Sequence, residues 1–203
     1  MIIIDGKKLA SAILENTREG ILKLGFVPIF SDVLVGDDTS SLQYVKMKAK
    51  TAESVGIKFH NANFPESITT DELIKEIKFL NKVPNMCGII VQLPLPEDID
   101  KQAVFDSIDA RLDVDCLGTT ASEKFYNNYN GQTDLGYPTA LACMARLDSL
   151  GLPLKNKNII VLGQGMLVGK PVSALLRLRG LDHIVVRSKT ENKEVLIKEA
   201  DVI

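Results

Sequence analysis

The chain has 203 residues, 45% hydrophobic and 25% charged, which is enough for one large hydrophobic core or two small ones. The formal net charge of −2 gives no general attraction to nucleic acid or an anionic membrane, so we expect neither as a partner and any anion site to be local. Three widely spaced cysteines and two distant histidines predict neither a disulfide framework nor a bound metal.

The N-terminal segment MIIIDGKKLA has an apolar run too short for a signal peptide. No stretch approaches the roughly 18 consecutive apolar residues of a membrane-spanning helix. We therefore expect a cytoplasmic protein.

The first half of the chain alternates between helical and strand-like patterns. Apolar spacing and turn residues predict strands at 28–36, 56–64 and 88–92, and helices at 7–24, 40–55 and 68–81. A β-α-β-α-β order of this kind predicts a parallel sheet with helices on both faces.

The second half begins with a polar, Asn- and Gly-rich stretch at 119–136, which predicts a surface connection. A helix at 139–150 then leads into another α/β alternation. We predict an α/β fold of two parallel-sheet domains: a three-layer domain at 1–120, a connection and linking helix at 121–150, and a partial Rossmann-like nucleotide-binding domain at 151–203. Because the sequence stops as a third strand of the last domain begins, we expect either that the C-terminal part of this domain is missing from the sequence or that a partner completes its sheet.

A glycine loop follows the apolar strand of the second alternation. Gly163, Gly165 and Gly169 lie between this strand and a helix, where glycine permits a tight turn and close approach of a pyrophosphate to backbone N–H groups. Pro171 follows Lys170, so the loop is not a Walker A motif. The alternative is a strand-to-helix turn that binds nothing.

The next predicted strand ends in Arg187, Ser188, Lys189 and Thr190. Cationic and hydroxyl groups at this position suit a ribose 2′-phosphate, whereas an acidic residue is typical of NAD sites. The pattern favours NADP as the cofactor, with NAD possible, and a solvated basic turn is the alternative.

Tyr44 and Lys48 are four residues apart on the predicted 40–55 helix, so their side chains point the same way. Lys46 and Lys50 fall on another arc of that helix, which predicts a solvated face for them and a ligand-facing position for Lys48. A half-buried tyrosine beside a lysine that only extends its charge to solvent is the alternative.

Two further segments are candidates for the same site. Gln92 ends a buried strand, where parallel α/β sheets place binding groups, and Asp113 and Asp115 lie in a loop close to the predicted domain boundary. The alternatives are a glutamine that caps a backbone group and an ordinary turn.

The segments YVKMK, VQLPLP and DVD, followed by a glycine loop ending in VGKP, resemble in this order the bifunctional methylenetetrahydrofolate dehydrogenase/cyclohydrolase family. The resemblance covers essentially residues 2–203. It implies oxidation of methylene-tetrahydrofolate with NADP and hydrolysis of the methenyl product to formyl-tetrahydrofolate, in one-carbon metabolism and purine biosynthesis. It also implies that residues 1–120 form the folate-binding catalytic domain, and that the protein is a homodimer.

Carried over by position, the resemblance gives each candidate a role. Lys48 would transfer protons, Tyr44 would stack on the folate, Gln92 would hold the lysine and the substrate, and Asp115 would hydrogen-bond the pterin ring. The hydroxyls of Ser188 and Thr190 match those of the family's HSxT segment, with Arg187 in place of His.

The chain also departs from the family pattern. Cys116 replaces the Gly that usually follows DVD, Gly165 replaces a Ser, YPTA at 137–140 replaces a PCTP-like segment, and no PGGVGP motif precedes Ile203. These departures leave open a folate- or nucleotide-binding relative with impaired catalysis. A short-chain dehydrogenase, which also pairs Tyr with Lys at this spacing, is less favoured because its nucleotide glycines precede that pair.

Overall fold

The computed structural model describes residues 4–131 and 134–203. The chain forms two compact units: one contains Lys7–Leu135, and the other contains Gly136–Ile203 with the N-terminal residues as far as Gly6. None of the helices in the two described ranges combines the length and the apolar character that crossing a membrane requires.

The larger unit is built on a three-stranded parallel sheet in the order β2-β1-β3. Its strands are β1 (Ile29–Val35), β2 (Lys58–Phe64) and β3 (Met86–Val91), and its helices are α1 (Gly6–Leu22), α2 (Thr39–Ser54), α3 (Thr70–Leu80), α4 (Lys101–Asp106) and α5 (Thr119–Asn128). The α/β class and the parallel sheet predicted for this half are confirmed.

The central strand β1 is the core of this unit. Val33 and Leu34, whose side chains point to opposite faces, are at most 1% exposed, so the strand is covered on both sides. Helix α2 contributes the buried side chains of Val45 and Ala52. Since the carboxyl ends of parallel strands lie at one edge, residues that follow β1 and β3 are brought close together.

Helix α5 corrects the prediction of a polar surface connection at 119–136. Ala121 and Phe125 are four residues apart and buried, and the Phe125 ring lies 5.3 Å from the Tyr126 ring and 5.0 Å from the Tyr129 ring between centroids. Burial of this one helical face outweighs the low helix propensity of the Thr and Asn residues in α5. Residues 132–133 of the predicted connection lie outside the described residues.

The smaller unit contains a short parallel pair, β4 (Ile160–Leu162) and β5 (Ile184–Val186). Its helices are α6 (Pro138–Ser149), α7 (Gly169–Leu178) and α8 (Lys193–Lys198). The N–H of Ile160 donates to the carbonyl of Val202 at 2.8 Å, so the segment after α8 lies along β4 in the parallel direction. The predicted step from a helix toward a third strand is present.

Candidate active site

Lys48 lies at the centre of a polar cluster in the larger unit. Its Nζ donates a hydrogen bond to Gln92 Oε1 at 2.8 Å and forms an ion pair with Asp32. The Lys48 side chain is 24% exposed, while that of Asp32 is completely buried. The ammonium group is therefore held from within the protein and retains access to solvent or a ligand.

The backbone of the sheet fixes Gln92. This residue directly follows β3, and its N–H donates to the carbonyl of Val33 in β1 at 2.8 Å. The side-chain Nε2 donates to the carbonyl of Leu93 at 2.9 Å, which directs Oε1 toward Lys48. Gln92 is thus anchored at two points and presents a fixed acceptor to the lysine.

The DVD loop separates into one structural and one accessible carboxylate. Asp113 is 1% exposed and accepts hydrogen bonds from the N–H groups of Leu117 at 3.3 Å and Gly118 at 2.8 Å. It shapes the loop that carries Asp115, which is only partly buried. Asp115 is therefore the carboxylate of this loop that can meet a ligand.

Asp115 has an altered acidity. Burial raises its pKa to about 6, the positive charge of Lys48 opposes that rise, and the nearby carboxylates of Asp113 and Asp32 add to it. Near neutral pH the carboxylate is ionised and ready to accept hydrogen bonds, and slightly below pH 6 it becomes a donor. The charge interaction with Lys48 supports placing Asp115 near the same cluster.

Cys116 occupies a left-handed backbone conformation, with φ of +55°. Glycine adopts this conformation without strain, so the DVD-Gly pattern has a direct physical reason. Burial and the charges of Asp113 and Asp115 raise the pKa of the Cys116 thiol to about 12. The thiol is therefore protonated and does not act as a nucleophile near neutral pH.

The lysines of α2 differ as the helical spacing predicts. Lys46 and Lys50 are exposed and Lys48 is half-buried. Tyr44, one turn before Lys48, is 55% exposed. The ring of Tyr44 therefore offers a large open aromatic surface to a ligand. The predicted solvated face of Lys46 and Lys50 is observed.

The glycine loop of the smaller unit requires glycine at its last position. A Cβ on Gly169 would lie 2.4 Å from the carbonyl oxygen of Gly163, and Gly163 itself has φ of +84°. Around Gly165 a Cβ would meet nothing within 4 Å. The loop packs tightly against the start of α7 and leaves open space at Gly165, which fits a group that approaches the backbone closely, such as a pyrophosphate.

The end of β5 lies beside this loop. The N–H of Gly163 donates to the carbonyl of Val186 at 2.8 Å, which places the start of the Arg187–Thr190 turn at the same edge as the glycines. The hydroxyl of Thr190 accepts from the N–H of Arg187 at 2.8 Å, and Arg187 and Ser188 are exposed. The side chains that suit a 2′-phosphate are thus available at the edge where a nucleotide would lie.

Asp32 is the functional candidate that the sequence reasoning missed. The other candidates lie on a helix, at a strand end or in a loop, whereas Asp32 lies in the middle of a central strand. A signal was present, because a carboxylate within an apolar strand buried on both faces requires a buried cation as its partner. Lys48 is that partner.

The described ranges contain no group of three or more His, Cys, Asp and Glu side chains arranged to hold a metal ion.

Comparisons with known proteins agree on one family. The model of the tetrahydrofolate dehydrogenase/cyclohydrolase catalytic domain matches residues 4–115, and that of its NAD(P)-binding domain matches residues 137–203. A bifunctional protein FolD of Saccharophagus degradans is 35% identical over 100% of this chain and 72% of its own length. One from Methanospirillum hungatei is 36% identical over 100% of this chain and 71% of its own length.

Solved structures that resemble this chain belong to the same family. The FolD methylenetetrahydrofolate dehydrogenase/cyclohydrolase of Campylobacter jejuni has a TM-score of 0.93 and 32% identity, covering 100% of this chain and 73% of its own. The Trypanosoma brucei FolD, complexed with NADP cofactor and an inhibitor, has a TM-score of 0.90 and 30% identity, covering 100% of this chain and 70% of its own. The likeness therefore extends over both units.

Proposed function

The chain belongs to the tetrahydrofolate dehydrogenase/cyclohydrolase family, and from that premise we propose that Lys48 and its partners carry the proton transfers of the reaction. The enzyme oxidises methylene-tetrahydrofolate to the methenyl form with a nicotinamide nucleotide, and it hydrolyses the methenyl form to formyl-tetrahydrofolate in one-carbon metabolism. The observation that supports the assignment to Lys48 is its hydrogen bond to Gln92 at the carboxyl end of β3.

Hydrolysis sets the chemical requirement for Lys48. Water adds to the electron-poor methenyl carbon and loses a proton, after which one carbon–nitrogen bond breaks and the nitrogen takes up a proton. A further proton leaves the carbon-bound hydroxyl as the formyl C=O forms, so one proton is released overall. An amine that alternates between donor and acceptor serves these transfers, provided that it stays beside the reacting carbon. Gln92 supplies that positioning, because its fixed oxygen holds Nζ.

The remaining residues bind the substrate in this proposal. The ionised carboxylate of Asp115 accepts hydrogen bonds from the N–H groups of the pterin, and the exposed ring of Tyr44 stacks on the folate. Both are coupled to Lys48, Tyr44 through one turn of α2 and Asp115 through charge. We therefore place the substrate over this cluster.

We propose NADP as the preferred cofactor, bound at Gly163, Gly165 and Gly169 with its 2′-phosphate at Arg187, Ser188 and Thr190. When bound, the nicotinamide accepts the hydride from the methylene carbon. The tight packing of Gly169 against the backbone of Gly163 and the exposed cation of Arg187 support this assignment.

The functional domains are proposed as 1–120 for folate, 121–150 for the connection and 151–203 for the nucleotide. A homodimer, a cytoplasmic location and a link to purine biosynthesis are proposals that rest on the family likeness.

A steady-state assay tests the function and the cofactor together. Purified protein is mixed with methylene-tetrahydrofolate and either NADP or NAD, and absorbance follows both the reduced nucleotide and the methenyl product. We expect turnover with a preference for NADP. Absence of turnover with both nucleotides would reject the dehydrogenase assignment.

Arg187→Ala separates the two nucleotides. Loss of the cation should raise the KM for NADP by roughly 10-fold or more and leave the KM for NAD nearly unchanged, since a charge-assisted contact to phosphate contributes about 1.5–3 kcal/mol. Lys193→Ala, another exposed basic residue of this unit, is the control. Equal losses for NADP and NAD would remove the assignment of a 2′-phosphate site to Arg187.

A further inference from the structure

Asp32 is completely buried in the central strand of the sheet, where an ionised carboxylate is costly. Neither of its oxygens accepts a hydrogen bond from a described group other than the Lys48 ammonium with which it forms the ion pair. Asp32 thus depends on Lys48 alone among the described residues. Lys48 depends in turn on Asp32, because that carboxylate is one of the two acceptors that hold its Nζ.

Lys48 is held from two neighbouring strands. Asp32 lies in β1, Gln92 follows β3, and these strands are paired along their length. A flexible lysine stem that meets two fixed acceptors loses most of its freedom at Nζ. The Nζ of Lys48 therefore contacts one charged acceptor, Asp32, and one neutral acceptor, Gln92, and both constrain its position.

We infer that Asp32 is a positioning residue for proton transfer: it is the buried carboxylate that holds the Lys48 Nζ beside Gln92 Oε1. This inference rests on the proposed role of Lys48 and adds a member to that site. Asp32 itself is enclosed and does not touch the substrate.

The other charged groups around the pair do not replace Asp32. Its register neighbours, Asn61 in β2 and Ile90 in β3, bring no titratable group. In the loop between α4 and α5, Asp113 is engaged with backbone N–H groups, and Asp115 is the carboxylate assigned to the pterin. When substrate occupies Asp115, Asp32 remains as the dedicated negative partner of Lys48.

Asp32→Asn, made in the full chain, tests the inference because it keeps the shape and removes the charge. We expect kcat for hydrolysis of methenyl-tetrahydrofolate to fall about 10-fold or more, with KM changed less than about threefold.

Ser31→Ala is the matched control. Ser31 is equally buried in the same strand, but its hydroxyl lies 3.1 Å from His60 Nδ1 and points to the other face of the sheet. Its kcat and KM should match those of the wild type. An unchanged kcat in a folded Asp32→Asn variant would overturn the inference, because a purely structural ion pair affects stability alone.

Lys48→Met, assayed in parallel, separates this inference from the proposed function. Loss of activity in Lys48→Met with no effect of Asp32→Asn rejects the inference and leaves Lys48 in place. Full activity in Lys48→Met rejects the role of Lys48 and the inference with it.

A measurement on the wild type keeps the test decisive if Asp32→Asn does not fold. In protein with ¹⁵N-labelled lysine, the Nζ protons of Lys48 should exchange with water more slowly than those of Lys46, because the ion pair and Gln92 hold them. The Lys48 signal is identified by its loss in Lys48→Arg. Exchange as fast as that of Lys46 overturns the inference.

Discussion

Asp115 carries a cost in stability that follows from its partial burial beside two other carboxylates. Its pKa is about 6 in the folded protein, against an ordinary value of 3.8. The folded state therefore binds more protons than the unfolded state between these two values. Stability should fall as pH rises from about 4 to about 6, and the loss should be complete above pH 6.

Asp115→Asn should remove that cost. In the absence of folate we expect the variant to be more stable than the wild type by roughly 1–3 kcal/mol near pH 7.5, with the difference shrinking toward pH 4. Urea unfolding at both pH values measures it. Asp109→Asn is the control, because hydrogen bonds from Arg111 lower the pKa of Asp109 to about 2 and its removal should not stabilise the protein. A gain for Asp115→Asn that does not vary with pH would contradict this account.

For single residues, the sequence was informative where the position along a helix or strand determines which way a side chain points. The spacing on α2 distinguished Lys48 from Lys46 and Lys50, since helical geometry depends on local sequence alone. The partnership of Asp32 with Lys48 depends on the packing of a helix on a particular strand. Only a tertiary structure fixes such a contact, although the charged residue in the apolar strand β1 indicated that a cationic partner was needed.

The turn between β4 and α7 is the element on which nucleotide binding depends. A Cβ on Gly169 would meet backbone atoms, the carbonyl oxygen of Gly163 at 2.4 Å and Gln164 Cα at 2.9 Å. Backbone atoms cannot move aside as a flexible side chain can. A substitution therefore forces the turn to open.

Gly169→Ala should destabilise the protein by about 1–3 kcal/mol, the usual cost of overpacking, and weaken NADP binding by about 10-fold or more. Thermal unfolding and calorimetric titration measure the two effects. Gly165→Ser is the control for stability, because a Cβ there meets nothing within 4 Å. If Gly169→Ala kept the melting temperature and the NADP affinity of the wild type, the tight packing of Gly169 on this turn would matter for neither property.

Elements with strong periodicity were predictable, and α5 was not. The Thr69–Glu72 capping box and the apolar spacing behind it identify α3 from sequence, because both features are local. In α5, polar composition suggested a loop. The helix is stabilised by tertiary burial of Ala121 and Phe125, which composition does not reveal.

The whole molecule consists of two units that match two family models in the same order as the sequence motifs. The order of the motifs was readable because alternating β and α segments restrict the topology to a few choices. The distances within the cluster could not be predicted from the sequence, because three segments far apart along the chain supply Asp32, Lys48 and Gln92. The chain spans about 72% of the length of a relative that it matches.

The central claim is that Lys48, distinct from its neighbours on α2, transfers the protons. It is tested most directly by the hydrolysis rate of methenyl-tetrahydrofolate in Lys48→Met and Lys46→Met, with folding verified by circular dichroism. Both changes remove one lysine charge from the same helix, but only Lys48 contacts Gln92 and Asp32. We predict a loss of about 100-fold or more in kcat for Lys48→Met and a rate near that of the wild type for Lys46→Met. Comparable rates for the two folded variants would contradict the account.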